Sequence, residues 1–342
     1  MNKNVPSASP TSLRLFTFCF YIGKNTYHEL VRMLYVLLAS LDRFHPDFFL
    51  VVYHNLGITI DDPRVRMVGG GGVKGVGGAD LLLDAEGCDG NVWVEGSAVR
   101  NRWHKLSFNK IHAFKNLYDE YDGSCFTWID LDTIVVADLS YLREVDNYFI
   151  IHGGGGAEAD AQKRRHDVLL GPGGGCGDVI WSVPERMYIH GSFWKLNLSL
   201  YHEILRLDLM FRENDVRLKY DIQSIFSVMA WGGGVVGGNR CPFYDGVSRA
   251  DNGGGSMNVI GYNYRPDVMN GLGVWDTRSG VGNHVNMDAL AEMRWSDDDG
   301  GAIFRTTMYP DKEIHILSLT FDSFFMSNVS CSADFARLFP FL

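Results

Sequence analysis

Two uninterrupted apolar runs with one amphipathic stretch between them constrain this chain more than any other feature. Residues Leu15–Ile22 (LFTFCFYI) and Phe48–Tyr53 (FFLVVY) are apolar at nearly every position. A strand that is apolar on both faces must be covered on both, which is the habit of parallel sheets flanked by helices. Gly23 ends the first run, and Thr26 and Glu29 then stand at capping-box spacing, where two side chains satisfy amides orphaned at a helix start. Leu30, Leu34, Leu37, Leu38 and Leu41 follow at helical spacing, and His45-Pro46-Asp47 stops the pattern. The spacing predicts a helix over Tyr27–Arg43, and with it a parallel β-α-β unit with a right-handed crossover.

The alternation continues downstream. Helices are expected over Lys105–Tyr121, Trp194–Met210 and Asp221–Ala230, and strands over Cys125–Ile129, Thr133–Val136, Tyr148–Ile151 and Glu313–Leu319. Asp80–Asn101 shows no readable pattern. The 342 residues carry a formal charge of −10, which argues against the basic face that duplex nucleic acid or an anionic membrane requires. Six cysteines lie far apart with no C-x-x-C pair, so they read as reduced, buried thiols rather than zinc ligands. The early apolar run is too short to span a membrane, and no small-residue cleavage site follows it. The expectation is a soluble, cytoplasmic protein with a disordered tail over residues 1–12. The one compositional anomaly is 39 glycines, gathered in clusters at 69–78, 153–156, 171–177, 232–238 and 253–255, which read as loops.

The most informative segment is Phe126-Thr-Trp-Ile-Asp130-Leu-Asp132-Thr-Ile-Val-Val-Ala-Asp138-Leu. Carboxylates two residues apart on a strand end project to the same side, with Leu131 directed into the core. Strand ends are where open α/β sheets bind ligands. The bland alternative is a pair of solvated turn aspartates, but apolar runs on both flanks favour two hard oxygen ligands for a divalent cation.

FTWIDLDTIVVADLSYL resembles the D-x-D segment of nucleotide-sugar-dependent glycosyltransferases of the GT-A fold. Weaker likenesses follow in the same order along the chain. The FTFCFYIG–helix–FFLVVYH unit resembles the nucleotide-binding start of that fold. Arg102, Lys105 and Lys110 in RWHKLSFNKIHAF resemble the basic helix before the D-x-D. His190-Gly-Ser-Phe-Trp-Lys-Leu-Asn197 occupies the place of an acceptor-side segment, and Tyr220-Asp221-Ile-Gln223 resembles a "D-Q" segment, with an intervening Ile. Ile314-His315 sits where many members carry a C-terminal metal-binding histidine.

The resemblance implies one α/β domain over 13–342, with a mostly parallel Rossmann-like sheet flanked by helices. Residues 13–138 would bind the donor and 139–342 would build the acceptor side. It implies transfer of a hexose or pentose from a nucleoside diphosphate sugar, UDP-sugar first, to a hydroxyl of a glycan or glycoprotein, with a lean toward retaining members. Asp130, Asp132 and His315 would hold the metal, and two carboxylates with one imidazole suit Mn²⁺ better than Mg²⁺. Phe20 and Tyr21 would frame the base, and Arg102 and Lys105 would pair with phosphate or with Asp130. Leu131 would sit within the donor-binding segment. Asp221 and Gln223 would act on the acceptor hydroxyl or the reacting sugar.

Two other classes compete. Asp130-Leu-Asp132-Thr-Ile approaches the nucleophile motif of haloacid-dehalogenase-like phosphatases, but a complete β-α-β unit precedes it, and the later acidic run Ser296-Asp-Asp-Asp-Gly300 reads as an exposed loop. A non-catalytic carbohydrate-binding module would use aromatic rings that core packing explains equally well. Gly70-Gly-Gly-Val-Lys-Gly75 fits G-x-G-x-x-G only trivially, and no helix start follows it. Without a secretory signal, the sequons at Asn197 and Asn328 carry little weight.

Overall fold

The two apolar runs pair as parallel strands. Strand β1 (Arg14–Cys19) lies against β2 (Phe49–His54), with Arg14 opposite Phe49 and Cys19 opposite His54. Helix α1 (Tyr27–Phe44) connects them and carries both halves of the capping box. The Glu29 amide donates to Thr26 Oγ1 at 3.2 Å, and the Thr26 amide donates to Glu29 Oε2 at 2.7 Å. Leu30, Met33, Leu34, Leu37 and Leu41 are buried, so the capped, amphipathic stretch covers the strands with its leucine face. This computed structural model describes residues 12–21, 26–69, 98–152, 168–170, 178–181, 188–214, 216–218, 222–231, 257–263, 272–276, 293–298, 301–306 and 315–318.

The chain divides into two compact units. The first comprises Met1–Gly75, Thr127–Val145 and Gly261–Leu342, and the second Val76–Phe126 and Asp146–Ile260. In the first, β3 (Val65–Gly69) extends the sheet in parallel on the far side of β2, and β4 (Thr127–Ile129) joins in parallel on the other side of β1. The order β3-β2-β1-β4 is the open parallel arrangement of an α/β sheet. After β4 the chain re-enters as β5 (Thr133–Val135), antiparallel to β15 (Ile316–Ser318). Strand β15 is parallel to β12 (Leu272–Asp276), which is parallel to residues Gly261–Asn263 of β11 (Val259–Asn263). Ser40 of α1 ties the helix to β5, accepting the Val135 amide at 3.2 Å while donating to the Leu37 carbonyl at 2.8 Å.

The second unit holds α2 (Ala98–Glu120), α3 (Leu198–Glu213) and α4 (Ile222–Trp231). Its strands are β6 (Tyr148–His152), antiparallel to β9 (Tyr188–Lys195), and an antiparallel trio of β10 (Val216–Leu218), β7 (Val168–Leu170) and β8 (Asp178–Trp181). Phe226 of α4 meets Phe149 and Trp194 edge-on at 5.2 and 5.5 Å, and Tyr148 stacks on Phe193 at 5.5 Å. Helix α2 ends where Gly123, at φ +83°, donates its amide to the Tyr118 carbonyl at 2.8 Å, a left-handed stop that glycine makes without strain.

Three expectations change, the first being that the helix expected from Lys105 begins at Ala98. The helix expected over Trp194–Met210 begins only at Leu198, and Trp194 and Lys195 belong to β9. Asn197 is the reason: its Oδ1 accepts the Leu200 amide at 2.9 Å, an N-cap that fixes the start. Its Nδ2 donates to Asp146 at 2.5 Å, so this sequon asparagine is occupied at both ends of its amide. The acidic run expected in an exposed loop is largely strand. β13 (Met293–Asp298) and β14 (Gly301–Thr306) form an antiparallel hairpin with Asp298 opposite Gly301. The connecting Asp299-Gly300 is a dipeptide that favours two-residue hairpin turns. Residues 1–11, the glycine clusters beyond Gly69 and the stretch 80–97 lie outside the described residues. Among the described residues, no helix is long and apolar enough to cross a membrane. Cys19 and Cys125 are free thiols, and burial pushes Cys19 up to about 12, so it stays a protonated core residue.

His45 secures the end of α1. It is 1% exposed, and its Nε2 accepts the Leu139 amide at 2.9 Å, a bond only an unprotonated nitrogen can make. Burial lowers its pKa from 6.5, outweighing the pull of Asp138 and Asp47 toward the cation, while Arg143 adds to the lowering. A group depressed in the fold contributes stability above its unfolded pKa, near 6.5, and loses it as pH falls through the folded value. Urea unfolding between pH 5 and 8 should therefore show stability declining below about pH 6.5. His45→Gln should flatten that decline; an unchanged slope in the variant would show that the proton binds elsewhere.

Candidate functional site

Strand β1 is where the order of the first sheet reverses. The chain moves outward through β2 and β3 on one side, then returns to the opposite side as β4. Open α/β sheets bind ligands outside the carboxyl ends of the strands at such a reversal. The residues that follow β1 are Phe20 and Tyr21; the residue that follows β4 is Asp130. Phe16 is paired with Trp128, and Asp130 stands one residue beyond the last residue of β4.

Trp128 does two things at this edge. Its ring meets Phe16 edge-on at 5.2 Å and Phe18 at 5.0 Å, and it is 2% exposed. Its indole Nε1–H donates to Asp130 Oδ1 at 2.8 Å. A half-buried carboxylate is thus aimed by a ring that the core itself immobilises.

Asp132 sits differently. Strand β4 ends at Ile129, and Leu131 and Asp132 form the turn that leads into β5. The alternation expected to put both carboxylates on one side therefore does not apply, because the pair is not in extended backbone. Leu131 is buried as expected, at 4% exposure, but Asp132 is buried too, at 5%.

His315 is not brought to the pair. Ile316 lies opposite Val135 and Ser318 opposite Thr133, while the His315 carbonyl accepts the Val136 amide at 2.9 Å. This antiparallel register leaves His315 beside the Val136 end of β5, the end away from Asp132. Its ring faces Tyr141 at 6.3 Å. Among the described residues, no three of His, Cys, Asp and Glu are grouped closely enough to hold a metal.

Phe20 is 6% exposed and packs edge-on against Phe18 at 5.4 Å, whereas Tyr21 is 51% exposed. Sequence reasoning missed the residue that fixes Tyr21. Asn55, directly after β2, accepts the Tyr21 amide on Oδ1 at 2.7 Å and donates Nδ2 to the Tyr21 carbonyl at 2.9 Å. The one available signal was an asparagine at the end of an apolar strand, a position where polar groups meet the binding edge. Arg102 and Lys105 lie on α2, but their side chains fall outside the described residues, as does all of Asp221. Lys110 is half-buried on α2, and Gln223 is half-buried in the first turn of α4.

No protein-family model matches the chain, and no curated protein matches it. Solved structures similar to it include apo mouse xyloside xylosyltransferase 1, at 14% identity and TM-score 0.39, covering 64% of this chain and 81% of the other. An active-site mutant of LgtC matches at 11% identity and TM-score 0.40, covering 89% and 86%. The glycosyltransferase GlyE of Streptococcus pneumoniae TIGR4 matches at 13% identity and TM-score 0.28, covering 59% and 40%. All three are glycosyltransferases. The α/β assignment of this chain rests on its own parallel strand order.

Asn55→Ala removes both bonds to the Tyr21 peptide. Each such bond is worth about 1 kcal/mol net, so amide hydrogen exchange at Tyr21 should quicken about tenfold or more. Unaltered exchange would show that the peptide is held by other groups.

Proposed function

We propose that this protein transfers a sugar from a nucleoside diphosphate sugar, a UDP-sugar first among them, to a hydroxyl of a glycan or glycoprotein. The observation that supports this best is the carboxylate of Asp130, held by the Trp128 indole where the strand order reverses. Breaking the bond between sugar and diphosphate builds negative charge on the leaving phosphate. A divalent cation, Mn²⁺ or Mg²⁺, supplies the opposing charge when bound. Cations on phosphate substrates commonly take only one or two protein carboxylates, with the phosphates filling other positions. Asp130 and Asp132, hard oxygen donors on either side of one turn residue, fit that share without His315.

The exposure of Tyr21 supports one further role. Tyr21 presents half of its surface beyond β1, and a flat aromatic ring there suits stacking on a nucleobase. Asn55 holds the Tyr21 peptide in place and so limits where that ring can go. On the family resemblance alone, Arg102 and Lys105 are assigned to phosphate or to Asp130. Asp221 and Gln223 are assigned to the acceptor hydroxyl or the reacting sugar.

Asp130→Asn is the informative variant, because an amide oxygen still accepts from the Trp128 indole while the charge is lost. Its melting temperature alone should match the parent within a few degrees. A thermal-shift screen of UDP-, GDP- and CMP-sugars with and without Mn²⁺ should stabilise the parent, by about 2.7 kcal/mol at a hundredfold excess over Kd. The same screen should leave Asp130→Asn unmoved. Equal stabilisation of both proteins would remove Asp130 from the site. Vanadate-sensitive phosphate release from a monoester, with no sugar nucleotide bound, would replace the transferase reading with the phosphatase one.

A further inference from the structure

Strand β9 is irregular where it passes α4. Between the pairs Tyr148–Lys195 and Ile150–His190, β6 advances two residues while β9 advances five. The surplus residues fall in Gly191–Trp194, a bulge of the kind that re-aims side chains beside binding sites. On this bulge His190 Nδ1 and Ser192 Oγ are 2.6 Å apart, bridging across Gly191. A Cβ added at Gly191 would lie 2.6 Å from Gln223 Nε2, 2.8 Å from its Cγ and 2.9 Å from its Cδ. The Gln223 side chain therefore lies directly on the glycine, in space that no other residue would leave.

The backbone of Gln223 is fixed independently. Its carbonyl accepts from Ser227 Oγ at 2.8 Å, and the same hydroxyl accepts the Ile189 amide at 3.0 Å. One serine thus locks the first turn of α4 onto β9. With the backbone held by Ser227, what stands at position 191 limits the directions open to the carboxamide.

We propose that Gly191 is a positioning residue that sets the orientation of the Gln223 carboxamide for hydrogen bonding to a sugar hydroxyl. This rests on the assignment of Gln223 to the acceptor or reacting sugar. The three atoms nearest an added methyl group all belong to the flexible Gln223 side chain, from Cγ to Nε2, so Gly191→Ala is expected to displace that side chain and leave the fold in place.

The test combines Gly191→Ala, Gln223→Ala and the double variant. The side-chain NH₂ signals of Gln223 in a ¹⁵N spectrum, identified by their loss in Gln223→Ala, should shift in Gly191→Ala. Unshifted signals overturn the proposal whatever the substrate. UDP release from UDP-glucose, UDP-galactose and UDP-xylose, with a sugar acceptor present, reads the consequence. Gly191→Ala should lower kcat/KM at least tenfold with the melting temperature within a few degrees of the parent, and the double variant should be no worse than Gln223→Ala, as expected for residues acting through one group. A Gly191→Ala protein with parental kcat/KM, or additive losses in the double variant, overturns the proposal while leaving Gln223 in the site. Full activity in Gln223→Ala removes Gln223 from the site and takes the proposal with it.

Discussion

A strand bonded in parallel on both sides and buried on both faces can do no chemistry along its length. Strand β1 is that strand. It pairs with β2 and β4, and Leu15, Phe16 and Cys19 are fully buried within it. Its neighbours obey the same constraint, since β2 is buried at every position. Polar function is pushed to the carboxyl ends, and there the exposed or half-exposed groups stand: Tyr21, Asn55 and Asp130. Trp128 joins the two regimes, with its ring in the core and its indole N–H on the one carboxylate just past the strand.

The parts legible in the sequence were those in which a local pattern and a burial requirement agree. The FTFCFYI and FFLVVY runs allow only covered strands, and the Thr26–Glu29 box marks the start of α1 to the residue. Phe126–Ile129 is apolar but for the β-branched Thr127, so β4 and the acid after it were also readable. The chain then departs from local pattern wherever a distant partner decides. Asp130 and Asp132 were expected on an extended segment, but β4 stops at Ile129 and a turn follows it, whereas β5 answers to β15. That same distant pairing decides where His315 lies, and nothing in Ile314-His315-Ile-Leu foretells it.

Other features were present in the sequence but hidden by stronger ones. Asn197 is a good N-cap, yet the aromatic residues before it mimic helical spacing, so the boundary between β9 and α3 was placed too early. The hairpin of β13 and β14 has no apolar run longer than Ala302–Phe304, and the Asp299-Gly300 dipeptide is its clearest sequence signal. Asn55 and Gly191 belong to a different category. Each matters through one side chain or one absent side chain, and only three-dimensional neighbours reveal that. Asn55 grips a peptide 34 positions earlier, and Gly191 makes room for a glutamine from α4.

The account stands on the carboxyl ends of β1 and β4 forming one nucleotide site. Amide chemical-shift mapping of the labelled protein, with UDP, GDP and CMP added in turn in the presence of Mg²⁺, addresses this most directly. The account predicts that one of these nucleotides shifts Tyr21, Asn55 and the Thr127–Asp130 segment before any other part of the first unit. Saturating nucleotide that leaves those residues unshifted, or perturbs only β12, β15 and the β13–β14 hairpin, would contradict it.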